Sequence, residues 1–109
     1  MNVKKWFENG TGLKIKELRY LSPPQVPYNI FVDDQSVKGA DLYNNIVEHN
    51  IVIEHYSEIL DDAEIKIISN FLDNEKMKFE KSAEWLSSEK LFVTIFSLET
   101  FFEKIGKDG

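Results

Sequence analysis

Carboxylates, histidines and a glycine crowd the stretch "VPYNIFVDDQSVKGADLYNNIVEHNIVIEHYSE", Val26 to Glu58. Asp33, Asp34, Asp41 and Glu48 carry the hard oxygen donors that hold calcium. A calcium loop, however, sets acids at alternate positions, with a glycine and a bidentate glutamate at fixed offsets. Gly39 follows Asp34 by five residues, and no glutamate falls at the matching distance. These acids therefore read as turn residues that hold nearby backbone amides. His49 and His55 lie six residues apart in a stretch that reads as extended, so they share a face. At ~3.3 Å per residue they stand about 20 Å apart, too far to share one ion. With no cysteine and no second histidine within reach, a zinc site is not expected. Solvated or capping roles are the reading for both rings.

Other chemistries fare no better. Glu48 or Glu54 paired with a distant carboxylate would suit glycoside hydrolysis. With 19 acids among 109 residues, such pairs arise by chance. Ser57, Ser69, Ser82, Ser87, Ser88 and Ser97 lack the context of a nucleophile elbow. The five glycines, Gly10, Gly12, Gly39, Gly106 and Gly109, form no phosphate-cradling loop. Lys4, Lys5, Lys14, Lys16 and Arg19 gather near Trp6 and Tyr20, and read as a solvated face offsetting an acidic remainder. No catalytic, cofactor-binding or metal residue is assigned, no cofactor is expected, and the chain does not read as an enzyme.

The elements that would position these groups follow from periodicity. Residues 2–9 read as a short helix capped by Asn2, anchored by Trp6 and stopped at Asn9-Gly10. "LKIKELRYL" reads as a strand, "SPPQVP" as a rigid lead-in with too few amide hydrogens for a central strand, and "YNIFVDD" as a clearer strand. Asp33 to Asn45 reads as a break, and residues 46–56 as one long strand. Asp61 with Glu64 is a helix-start signature. The stripe Ile65, Ile68 and Leu72, widened by Ile67 and Phe71, makes 62–74 an amphipathic helix. "NEKMKFEK" suggests a return strand, "SAEWLSSEK" a loop, "KLFVTIFSLETFF" an apolar strand and "EKIGKDG" a polar tail. Apolar residues on both faces of that last strand imply an interior position or a partner on its second face.

The sum is one α+β domain over residues 1–109. It is a mainly antiparallel sheet of about five strands, with a short N-terminal helix and one amphipathic helix packed on it. The net charge of −6 argues against a surface that tracks phosphates, and no window approaches a membrane span. The first residues lack the long apolar run of a signal peptide, so a soluble protein made in a cytoplasm is expected.

Three stretches carry a resemblance: "PPQVPYNIFVDD", "KGADLYNNIVEHNIVIEHYSE" and "FEKSAEWLSSEKLFVTIFSLE". Their order resembles small tail-completion proteins of siphophages and prophages of low-GC Gram-positive bacteria, the tail-terminator and, more loosely, head–tail joining proteins. The resemblance spans nearly the whole chain, and its motifs are sheet and turn residues. It implies a structural part of the virion tail or neck, made in the host bacterial cytoplasm. Such a part assembles as a ring, typically a hexamer, between the major tail tube protein and the head connector proteins. It implies no membrane partner, no sequence-specific nucleic acid and no cofactor. In that setting Asp33 to Asn45 reads as a protruding hairpin connection, with Val37, Leu42 and Tyr43 as candidate subunit or partner contacts. A small regulatory or inhibitory protein-binding factor is the alternative. A small hydrolase with a hidden carboxylate site is the weaker third.

Overall fold

The computed structural model describes residues 1–38 and 45–105. Helix α1 spans Val3–Thr11, with Asn2 accepting a 3.0 Å hydrogen bond from the Lys5 N–H at its start. It ends at Gly12, whose left-handed φ of 75° lets its N–H reach the Glu8 carbonyl. The expected stop at Asn9-Gly10 is thus two residues early. Gly10 serves packing instead, because a Cβ there would sit 2.0 Å from the Phe71 ring. The fully buried anchor is Phe7, while Trp6 tilts over Phe71 at a centroid distance of 4.7 Å and donates through Nε1 to Glu75.

Helix α2 spans Ala63–Asn74 and buries Ile65, Ile68, Phe71 and Leu72. Its cap is Asp62 rather than Asp61, since Asp62 Oδ2 accepts from the Glu64 N–H at 3.0 Å. Ile67 falls off the buried stripe and is 42% exposed, so the apolar face is narrower than its sequence implies.

Five strands form the main sheet: β1 (Lys16–Glu17), β2 (Tyr28–Asp33), β5 (Ile51–Ser57), β6 (Phe79–Leu86) and β7 (Leu91–Leu98). Their order is β1-β2-β5-β7-β6, antiparallel except for β1 beside β2. The α+β architecture is as the sequence implies. Strand β1 is shorter than "LKIKELRYL" suggests, because Leu18 takes a left-handed φ of 67° and turns the chain away. Strand β6 is longer than expected, absorbing Ser82 to Leu86 from the stretch that the sequence marks as loop. It lies at the sheet edge with most of both faces in solvent, so no alternation marked it.

A second sheet holds β3 (Ser36–Lys38), β4 (Asn45–His49) and β8 (Phe101–Ile105), in the order β3-β4-β8. The expected long strands over 46–56 and over the last apolar run are each broken, at Asn50 and at Glu99-Thr100. Strand β2 breaks at Asp34-Gln35 before β3. The three neighbours β2, β5 and β7 therefore continue as β3, β4 and β8 past a shared polar joint. The supposed tail residues Glu103 and Lys104 belong to β8.

Both helices pack on one face of the main sheet. Val3, Phe7, Ile65, Ile68 and Leu72 meet Phe31, Ile51, Ile53 and Phe96 in one buried cluster. Each such side chain contributes about 1.5–3 kcal/mol by leaving water. The opposite face carries Ile30, Val32, Val52, Val93 and Ile95, which lie outside that cluster. Strand β7 is interior, between β5 and β6, as its two apolar faces imply.

Candidate functional site

Two buried histidines organise the polar interior. His49 is 1% exposed and closes the joint between the sheets. Its Nδ1 lies 2.7 Å from Asp33 Oδ2 and its Nε2 lies 2.9 Å from Glu103 Oε1. The ring stacks on Phe101 at 4.8 Å. A carboxylate oxygen can only accept from a neutral or charged imidazole, so the two contacts together require both ring nitrogens to donate. Burial alone would lower the pKa of His49, but the hydrogen bonds and charges of Asp33 and Glu103 outweigh it and raise the value. Glu103 is lowered in turn, chiefly by His49.

Asn50 is the pivot of the same joint. Its N–H donates to Asp33 Oδ1 at 3.1 Å, its Nδ2 to the Asp34 carbonyl at 3.1 Å, and its carbonyl accepts from the Asp34 N–H at 3.0 Å. Its Oδ1 accepts from Thr100 Oγ1 at 2.5 Å, and its Nδ2 also reaches Glu48 at 3.2 Å. Asp33 does hold a backbone amide, as a turn acid would, but the amide is that of Asn50, at the break between β4 and β5.

His55 is fully buried in the main sheet. It sits in a row with Asn29 on β2 and Thr94 on β7, its directly opposite partners. Nδ1 lies 2.7 Å from Asn29 Oδ1, and Nε2 lies 3.1 Å from Asp62 Oδ2. Glu64 joins them: one ligand-type atom from each of His55, Asp62 and Glu64 lies within 4.8 Å of the others. Burial lowers the His55 pKa against the pull of Asp62. Burial, then the Asp62 charge, raises that of Glu64, with an Asn29 hydrogen bond opposing. Among the described residues no lysine or arginine pairs with either acid, and the buried Thr94 Oγ1 bonds no protein group. Glu64 and Asn29 line a cleft of about 460 Å³ walled by Leu13, Tyr20, Pro24 and Tyr28.

The solvated or capping reading of the histidines is overturned, although His55 does touch the helix cap. The sequence did hold a signal. His55 alternates with Ile51 and Ile53 on the face that is buried, and a buried ring needs polar partners. The two histidines are apart, as their spacing implies, and serve two different networks. Glu48 and Glu54 are in different sheets, Glu48 accepting from Asn50 and Glu54 from the Tyr56 hydroxyl. Lys4, Lys5, Lys14, Lys16 and Arg19 are all exposed. Val37 lies on the outer strand β3 and is 65% exposed. The other two contact candidates, Leu42 and Tyr43, lie outside the described residues, as do Gly39 and Asp41.

No protein-family model matches the chain, and no curated protein matches it significantly. Among the described residues no helix is long and apolar enough to cross a membrane.

Proposed function

We propose that the chain is a non-enzymatic tail-module component, completing or terminating a phage tail tube and joining it to the head through a ring of its own copies. The observation that carries this reading is the small sheet. Ile46 on β4 and Phe102 on β8 share one face of it and are 37% and 61% exposed, while Val37 is exposed on its outer strand. A three-stranded extension that presents large apolar residues to water invites a partner. Strand β3 at one side of this sheet, and β6 at the edge of the main sheet, also have no strand beside them on their outer sides among the described residues. Strand addition between copies would pair those edges. The order of sheet and turn motifs, which resembles tail-completion proteins, supplies the identity of the partners: the tube protein below and the connector above.

The test is size-exclusion chromatography with light scattering, on the chain alone and mixed with its tail tube protein. A ring subunit forms a discrete oligomer in one of these conditions. The double variant Ile46→Ser, Phe102→Ser should shift it to monomer while circular dichroism remains unchanged. A chain that stays monomeric at high concentration and beside tube protein sinks the proposal.

A further inference from the structure

We infer that His55, Asp62 and Glu64 form a binding site for a divalent transition-metal ion, zinc by ligand type, which ties the start of α2 to the main sheet. This goes beyond the ring reading and does not depend on it. Asn29 orients the histidine. Its Nδ2 donates to the Lys14 carbonyl at 3.2 Å, which turns its Oδ1 toward His55 Nδ1. Nδ1 therefore carries a proton, and Nε2 is the nitrogen that faces Asp62 Oδ2, donating to it when the ring is charged and offering a lone pair when the ring is neutral. In the neutral ring that lone pair faces a carboxylate oxygen at 3.1 Å, an arrangement that a bound cation between them would relieve. Glu64 brings a second carboxylate to the same place, with no basic side chain paired to either acid among the described residues.

That constellation is a metal-ligand set. Imidazole nitrogen and two carboxylates suit zinc, with ligand bonds of about 2.0–2.2 Å. Tetrahedral ligands on such an ion stand about 3.4 Å apart. The three atoms already lie within 4.8 Å of one another, and the Glu64 side chain, half-buried at the cleft, can supply the remaining closure by rotation. The Nδ1–H of His55 donating to Asn29 is the outer contact that orients metal-bound imidazoles. Thr94, in the next position of the same row, offers a buried hydroxyl with no protein partner. The N-terminus of α2 opposes a cation, but its half-charge is small beside two converging carboxylates. The other histidine makes the contrast. Asp33 and Glu103 face opposite nitrogens of His49, so they cannot close on one ion.

Isothermal titration of the chelator-treated full chain with zinc chloride tests the site. One equivalent should bind and raise the melting temperature, with magnesium giving no such rise. Replacing zinc by cobalt should produce the visible absorption of a four-coordinate ion with nitrogen and oxygen ligands. Glu64→Gln leaves the helix cap intact, because the cap uses the Glu64 backbone N–H, and should weaken zinc at least tenfold. Glu103→Gln should leave zinc affinity unchanged. Absence of a stoichiometric zinc heat, or equal affinity in Glu64→Gln and the unaltered chain, overturns the site. So does a loss caused by Glu103→Gln.

Discussion

Two carboxylates face His49 and raise its pKa against the effect of burial, and that makes stability depend on pH with a definite sign. The raised folded pKa means its contribution is whole below the unfolded value of 6.5 and is lost as pH rises through the folded value. Glu103, lowered in the fold, contributes above its unfolded value of 4.5 and loses that as pH falls through the folded value. The melting temperature of the unaltered chain should therefore exceed that of His49→Gln most between these two values. The gap should narrow as pH climbs above 6.5 and through the raised folded value. A gap that stays constant across the alkaline range would mean the ring is neutral. Gly10 offers a second residue-scale prediction. Alanine in a helix usually gains up to about 1 kcal/mol over glycine. Here the added Cβ meets the Phe71 ring at 2.0 Å, and overpacking costs about 1–3 kcal/mol. The clash should win, so Gly10→Ala should be destabilised in urea unfolding. A variant that also shortens Phe71 to Leu should recover part of the loss. The sequence offers Gly10 as a helix stop, and only the packing of α1 on α2 shows why a glycine stands there.

The elements were legible where one face was buried and the other wet. Strand β5 alternates buried Ile51, Ile53, His55 and Ser57 with half-exposed neighbours, and α2 shows a clean stripe. Legibility failed where that contrast disappeared. Strand β6 is exposed on both sides, so its residues carry no period. The joint escaped for another reason: apolar residues continue on both sides of Asn50 and of Glu99-Thr100, and hydrophobic pattern alone joins them into single strands. What breaks them is hydrogen bonding across strands distant in sequence, with Asn50 bonded to Asp33, Asp34 and Thr100. The His55 site was hidden likewise, because Asn29, Asp62 and Glu64 approach it from β2 and from the start of α2. The joint makes its own prediction. Asn50→Ala removes the side-chain bonds that hold the two sheets in register, at about 1–3 kcal/mol. Hydrogen exchange should rise first in β4 and β8, while the central strands β5 and β7 keep their protection. Uniform loss of protection across both sheets would show that the small sheet unfolds only with the large one.

At the scale of the whole molecule, shape and charge pull in different directions. In the ring we propose, the small sheet and the outer sides of β3 and β6, which pair with no strand among the described residues, would bring copies of the chain together through Ile46, Phe102 and backbone groups. The net charge of −6 on every copy opposes it. Such a ring of like-charged subunits would store repulsion that extends over the Debye length, about 10 Å at 0.1 M salt and about 3 Å at 1 M. Apolar contacts and strand pairing are not screened in this way, and excluded salts such as sulfate strengthen apolar burial. Self-association should therefore tighten as sodium chloride rises, and more steeply in sodium sulfate at equal ionic strength. Sedimentation velocity over a salt series reads this directly. A partner of opposite charge would give the reverse dependence, because salt would then screen an attraction. If the chain gathers other proteins only at low salt and its own self-association is indifferent to salt, the acidic surface is the contact. In that case the small sheet is not.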